Sequence, residues 1–240
     1  MSSDIFTKEN LDSYLKELAK AFRKINGRSM PAEIVLVGGA AILTNYGFRD
    51  MTTDIDAIIH AASSMKDAIN CVGDKFDLPR GWLNTDFIRT SSYSPKLDEF
   101  SQYYKTFYGI LSIRTIAAEY LIAMKLRSGR KYKNDLSDII GILAEHERRG
   151  KSITMEQINT AVNNLYGGWE GFSEESRNFI EDAIKNGKFE SIYIAVKNAE
   201  LESRNTLIEF EKAYPNTANE SNADEIIRSL KERSKSKGTD

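Results

Sequence analysis

The chain has 240 residues, enough for one large or two small domains, and 41% of them are apolar, enough for a core. Its net charge of −2 excludes a basic field over the whole chain that would draw it to nucleic acid, though not a local basic patch. Cys71 is the single cysteine, which excludes an intrachain disulfide, and with His60 and His146 as the only histidines a zinc site of His and Cys ligands is not expected. No apolar run reaches membrane-spanning length and Met1 to Asn10 carries no signal-peptide core, so the expectation is a soluble, cytoplasmic protein.

Leu11, Tyr14, Leu15, Leu18, Phe22 and Ile25 recur at helical spacing with Lys and Glu between them. This predicts an amphipathic scaffold helix stopped by Asn26-Gly27 and packed on a sheet. The stretch that follows carries the chemistry. Ile34 to Val37 is an apolar, β-branched run of strand length, and Gly38 and Gly39 follow it. A short helix is expected from near Ala40 to Gly47, where glycine suits a left-handed stop. Arg49 lies in the link to a second strand, Asp54-Ile55-Asp56-Ala57-Ile58-Ile59.

Side chains alternate along a strand, so Asp54 and Asp56 share one face while Ile55 points to the other. Two carboxylates on one face, about 6–7 Å apart, repel each other, and a divalent cation relieves the repulsion. Magnesium takes oxygen ligands, often one or two carboxylates plus substrate phosphates. Gly38 and Gly39 lack Cβ atoms and let phosphate oxygens approach the backbone, while the adjoining helix start offers free N–H groups and its positive dipole end. The competing structural reading is a solvated edge-strand face.

Further on, Ser64 to Gly73 reads as a short helix with Met65, Ala68, Ile69 and Val72 on one stripe, and Cys71 beside it reads as a packing residue. Asp77 to Gly81 is a turn, and Trp82 to Ile88 reads as an irregular third strand. Phe107 to Ile113 reads as a strand. Thr115 to Arg127 is a helix apolar nearly all round, hence buried, with Lys125 as the exception. A buried lysine is rare unless paired. Lys125 therefore reads as a phosphate contact, a partner for carboxylates, or a stem snorkelling to water.

Asp135 to Glu145 forms another helix. Asp135 falls at the border of its apolar face and Asp138 further round, towards solvent. From Ile153 the pattern is helical and broken at Gly167-Gly168, with helices at Ser173 to Ala183 and Ile192 to Phe210. Pro215 to Asn222 is a polar link, and Asn222 with Glu225 has the spacing of a cap for a last helix from Ala223 to Lys231. The basic end, Lys231 to Lys237, reads as a frayed, solvated tail, with RNA affinity as the alternative.

The order Gly-Gly, short helix, Arg, then Thr-x-Asp-x-Asp resembles the nucleotidyltransferase superfamily, which has the fold of DNA polymerase beta. Within it the chain is most similar to the abortive-infection E toxins and their MenT-like relatives. Tyr120 to Leu126 with its Lys125, Gly129-Arg130, and Asn134-Asp135-Leu136-Ser137-Asp138-Ile139 extend the resemblance to residues 30 to 145.

The resemblance implies an α+β fold: a small mixed β-sheet core over residues 1–114, a helical region over 115–214, and a linker, short helix and basic tail over 215–240. It implies transfer of an NMP from an NTP to an RNA, protein or small-molecule acceptor, with Mg²⁺ or Mn²⁺. Asp54, Asp56, Lys125 and Asp135 would be catalytic, with Lys125 facing the Asp54/Asp56 strand, and Gly38, Gly39, Arg49 and Thr53 would bind substrate. Asp54 and Asp56 would hold the metal, with a third carboxylate from a neighbouring strand. Asp86 is the candidate for it and Asp98 the second, though either also fits a plain turn. The toxin branch further implies a tRNA 3′ end or a protein as acceptor and an antitoxin as partner. Since no clean third-carboxylate motif is present, the alternative is a nucleotide- or partner-binding module without turnover.

Overall fold

The computed structural model describes residues 5–237, with side chains to Glu232. Its order is α1 (Lys8–Asn26), β1 (Ala32–Leu36), α2 (Gly38–Asn45), β2 (Ile55–His60), α3 (Met65–Phe76), β3 (Leu83–Asn84), β4 (Ser101–Phe107), β5 (Leu111–Ile116), α4 (Ala118–Ser128), α5 (Asp135–Arg148), α6 (Met155–Tyr166), α7 (Glu174–Asn186), α8 (Phe189–Ala213) and α9 (Ala223–Lys237). Two 3₁₀ turns, Asp86–Arg89 and Leu97–Phe100, lie between β3 and β4. The fold is α+β. The chain divides into two compact units, Met1–Met124 with Glu156–Glu170, and Lys125–Met155 with Gly171–Asp240.

The first unit is built on a mixed sheet in the order β3-β2-β1-β5-β4. β1 runs antiparallel to β2 and parallel to β5, β3 runs parallel to β2, and β4 and β5 form an antiparallel pair. Ile34, Val35 and Leu36 of β1 are fully buried. A continuous apolar run of this kind is what a central strand needs, since both of its faces are covered. α1 buries Leu11, Leu15, Leu18, Ala19 and Phe22 and packs on α3. It begins with a reciprocal cap between Thr7 and Asn10 and stops at Gly27, whose φ of 74° is open to glycine. Phe6 and Thr52 exchange two backbone hydrogen bonds, at 2.8 and 2.9 Å. The Phe6 ring is buried between Tyr14 and Trp82, so the segment just ahead of Asp54 is tied to the core.

In the second unit the apolar face of α5 packs on α8, and α8 also packs on α7 and α9. Asp135, Ser137 and Asp138 are buried at the start of α5 along with Ile139, Ile140, Ile142 and Leu143 further on.

Several boundaries differ from the sequence expectation. α2 begins at Gly38, so both glycines lie inside its first turn rather than ahead of it. It ends at Tyr46, which is extended, and Gly47 has no left-handed conformation. The run from Phe107 to Ile113 is not one strand. Tyr108 and Gly109 both have positive φ, 51° and 66°, and turn the chain between β4 and β5. Thr115 and Ile116 belong to β5 rather than to α4, because they continue the ladder with β1 and β4. The expected strand from Trp82 to Ile88 shrinks to two residues before the chain tightens into a 3₁₀ turn. The Asn222 side chain does not cap Glu225. It accepts from Asn219 N–H and donates to the Thr217 carbonyl, closing the loop before α9. α9 itself runs on to Lys237. The side chains of the basic tail beyond Glu232 lie outside the described residues.

Candidate functional site

Two clusters carry the residues singled out in the sequence, one in each unit. The first sits where β1 ends, α2 begins and β2 starts. Val37 N–H donates to the Asp56 carbonyl at 3.0 Å, which sets the start of α2 beside β2. Gly38 has φ of +51°, a left-handed value that a Cβ would strain. A Cβ built on it would stand 3.9 Å from Asp56 Oδ2. The carboxylate therefore lies next to the first turn of α2, where backbone N–H groups have no intrahelical partner.

Gly39 is required for a different reason. A Cβ there would meet Thr52 Oγ1 at 2.7 Å and Arg49 Nη2 at 2.8 Å. The place a side chain would take is already held by a guanidinium and a hydroxyl, so Gly39 brings Arg49 against the start of α2. Arg49 is fixed in turn by its Nε–H, which donates to the Met51 carbonyl at 3.0 Å.

Asp54 is exposed and precedes the first residue of β2. Asp56 is half-buried, and Ile55 between them is fully buried, as the alternation requires. The Thr52 hydroxyl donates to the Asp54 carbonyl at 3.2 Å and lies 3.4 Å from Asp54 Oδ1. Thr52, pinned by Phe6, thus orders the backbone of Asp54. Its neighbour Thr53 is exposed in the bend. Thr52 was not singled out in the sequence; its place in the Thr-x-Asp spacing was the available signal.

Asp86 lies apart from this pair in role. It is exposed, opens a 3₁₀ turn, and its N–H donates to Asn84 Oδ1 at 2.8 Å. The residue aligned with Asp56 across the β2–β3 ladder is Asn84, an amide. Asp98 sits 3.1 Å from His60 Nε2. Among the described residues, no group of three or more His, Cys, Asp or Glu is arranged to hold a metal ion. Asp54 and Asp56 are the two carboxylates at the start of β2. That pair suits a cation completed by phosphates and water, and does not suit an all-protein cage.

The second cluster is a buried network. α4 ends at Gly129, whose φ of +55° reverses the chain and returns Arg130 towards α5. Lys125 Nζ lies 2.8 Å from Asp135 Oδ1 and 2.9 Å from Asp138 Oδ2, with 11% of its side chain exposed. Lys125 therefore does not snorkel free to water. Arg130 Nε–H donates to Asp135 Oδ2 at 2.9 Å, and its Nη1 reaches Glu220 at 3.1 Å. Burial alone would raise the Asp135 carboxyl, but Lys125 and then Arg130 outweigh it and hold the group at about 2.

Asp138 corrects the sequence expectation. It is 2% exposed, not turned to solvent. An isolated helical wheel cannot show that α5 is covered on more than one side. Arg130 and Asp138 belong to the network beside the two expected members.

No curated protein and no solved structure matches the chain. The family described as "Nucleotidyltransferase of unknown function (DUF6036)" matches residues 13–147, a span that contains Gly38, Gly39, Asp54 and Asp56 as well as Lys125, Asp135 and Asp138. The chain belongs to this nucleotidyltransferase family.

Proposed function

We propose that the protein transfers an NMP group from an NTP to an acceptor oxygen, breaking the bond between the α-phosphorus and the β-phosphate and releasing pyrophosphate, with the help of Mg²⁺ or Mn²⁺. The observation that carries this reading is the approach of Asp56 Oδ2 to the Cβ-free face of Gly38 at the start of α2. It puts a carboxylate beside a helix N-terminus, where an anion would otherwise be attracted without competition. A carboxylate and a phosphate are both negative, so their shared place makes sense with a cation between them. Asp54 and Asp56 would hold that cation. Bound there, it would neutralise triphosphate charge and activate the acceptor oxygen.

The chain's own groups do the rest. Gly38 admits phosphate oxygens to the N–H groups of α2, Gly39 lets the Arg49 guanidinium stand at the same turn as a cation for the phosphates, and Thr53 lies on the exposed bend beside Asp54. Lys125 and Asp135 would form the second catalytic set, an ammonium held and oriented by Asp135 and Asp138. Most of the rate gain would come from positioning and charge stabilisation. The likeness to the abortive-infection E and MenT-like branch supports a tRNA 3′ end or a protein as acceptor, a toxin role with an antitoxin partner, and a cytoplasmic site of action.

Transfer of α-phosphate label from each NTP to tRNA, to protein and to the chain itself, with Mg²⁺, tests the reading. Asp54→Ala and Asp56→Ala are each expected to lower transfer by more than about a hundredfold while the fold persists. Asp56→Ala is expected to match or exceed the wild type in thermal stability, because removing a half-buried carboxylate two residues from a second one relieves like-charge repulsion. Unchanged transfer in the double variant would sink the assignment.

One observation favours a second reading. Asp54 and Asp56 have no third carboxylate beside them among the described residues, which suits a module that binds nucleotide or partner without turnover. Raised thermal stability with NTP and Mg²⁺, together with no label transfer to any acceptor, would select it.

A further inference from the structure

The first turn of α5 bears Asp135 and Asp138, and its own cap residue does not cap it. Asn134 makes no side-chain bond to the helix N–H groups. Its Oδ1 is taken instead by Arg204 of α8, whose Nη2 donates at 2.6 Å, while Arg204 Nε–H donates to the Tyr132 carbonyl at 3.2 Å. The vacancy is filled one turn earlier on α8. Glu200 Oε1 accepts from Leu136 N–H at 2.8 Å and from Ser137 N–H at 3.2 Å. Both donors lie between Asp135 and Asp138. Glu200 is 2% exposed, and its Oε2 is buried with no hydrogen-bond partner.

A glutamate on a long helix normally lies in water, since its carboxylate is costly to bury. One buried with half of its acceptor capacity unused needs an explanation. We propose that Glu200 is the positioning residue of the Lys125 cluster: a carboxyl supplied by α8 that caps α5 and holds Asp135 and Asp138 on the Lys125 ammonium. This role rests on the assignment of Lys125 and Asp135 to nucleotidyl transfer; the capping geometry itself does not.

The charges around Glu200 give the role a second consequence. Burial pushes its carboxyl up to about 7 against the hydrogen bonds from Ser137 and Leu136, and Asp138 adds to the rise. Lys125 faces Asp138 from α4, Arg204 lies one turn along α8, and Lys231 of α9 donates to Ser203 Oγ at 3.0 Å. Near neutral pH, then, Glu200 passes from a neutral cap to a charged one. The charged form binds the two N–H groups more strongly but stands against Asp138. The hold of the two aspartates on Lys125 therefore changes across that range.

Glu200→Gln keeps an acceptor oxygen and cannot titrate; Glu200→Ala removes the cap. Amide exchange at Leu136 and Ser137 and the rate of reductive methylation of Lys125, both followed from pH 5.5 to 8.5, test the proposal without any substrate. In Glu200→Ala, exchange at the two amides should rise by tenfold or more and Lys125 should be labelled faster. In the wild type, Lys125 labelling corrected for the intrinsic amine profile should show a step near neutrality, and Glu200→Gln should lose that step while keeping the amide protection. Wild-type protection in Glu200→Ala, or the same labelling profile in wild type and Glu200→Gln, would overturn the proposal. With labelled NTP and tRNA, Glu200→Ala should lower kcat by tenfold or more with KM little changed. If Lys125→Met leaves transfer intact, the catalytic assignment fails, whereas the exchange and labelling results still decide whether Glu200 positions the cluster.

Discussion

Gly39 shows how much one absent atom can decide. Its hydrogen admits the Arg49 guanidinium and the Thr52 hydroxyl to the first turn of α2, and a methyl group would come within 2.7 and 2.8 Å of them. Something must then move. The Thr52 backbone is held by its two bonds to Phe6, and Arg49 is the end of a flexible side chain, so Gly39→Ala should push aside both the Thr52 hydroxyl and the Arg49 guanidinium, and Gly39→Val should displace them further. Helix propensity alone would make Gly39→Ala favourable by about 1 kcal/mol, so the packing conflict and the propensity gain oppose each other in stability. They do not oppose each other in binding. Triphosphate affinity, measured with ATP and with each other NTP, should fall by about tenfold in Gly39→Val, a loss of about 1.4 kcal/mol, while affinity for the matching nucleoside holds. Equal losses for both ligands would mean that the variant is misfolded rather than deprived of a phosphate contact. The sequence made the glycines visible as a phosphate cradle. That Gly39 is filled from the side by Arg49 and Thr52 depends on the Phe6–Thr52 bridge, a pairing between residues far apart in the chain that no local pattern announces.

At the scale of elements, the buried Lys125 is joined to the first turn of α5 through two carboxylates. An ammonium 2.8 Å from one carboxylate and 2.9 Å from another has exchanged its water for them. Lys125→Met keeps the stem volume and removes the charge. Asp135 retains Arg130, but the charge Asp138 gave to Lys125 is left without that partner. Loss of about 3–5 kcal/mol of stability is expected, the range for breaking a buried pair from one side, and a denaturant midpoint measures it. An unchanged midpoint would show that the pairing contributes nothing net. Restoring neutrality with Lys125→Met/Asp138→Leu should recover much of the loss, because a buried ion pair replaced whole by apolar groups is often neutral or stabilising.

The elements also mark where sequence reading reaches its limit. β1, α1 and the core of α4 were legible, because an apolar β-branched run and a 3.6-residue stripe each have one physical solution. The β4–β5 hairpin was not: Tyr108-Gly109 lies inside a mostly apolar run of strand length, and the turn comes from the positive φ of both residues. Asp138 was misread because a wheel drawn for α5 alone assumes that one side faces water. Glu200 gave no signal at all, since a glutamate in a helix is ordinarily solvated and its partners are the backbone amides of a segment 63 and 64 residues away.

For the molecule as a whole, two buried carboxylates with opposite shifts pull the pH dependence of stability in opposite directions. Asp135 is held at about 2 in the folded state against 3.8 as its ordinary value. A depressed carboxyl stabilises the fold at pH above its unfolded value and loses that contribution as pH falls from about 4 through 2. The difference corresponds to about 2 kcal/mol. Glu200 is raised from 4.5 to about 7. Between those values the unfolded chain has released the proton and the folded chain keeps it, so stability falls as pH rises from about 4.5 to 7, by about 3 kcal/mol. The two limbs meet between pH 4 and 5, where the second unit should be most stable, below the pH 5–8 range in which most proteins are. Thermal midpoints taken from pH 2 to pH 8 on the wild type and on Glu200→Gln test this directly. The wild type should climb from pH 2 to about 4.5 and decline towards 7. Glu200→Gln should keep the acid limb, which belongs to Asp135, and lose most of the decline. A wild-type optimum at pH 7 or above, or a decline that persists in Glu200→Gln, would show that Glu200 is not the group that titrates on the neutral side.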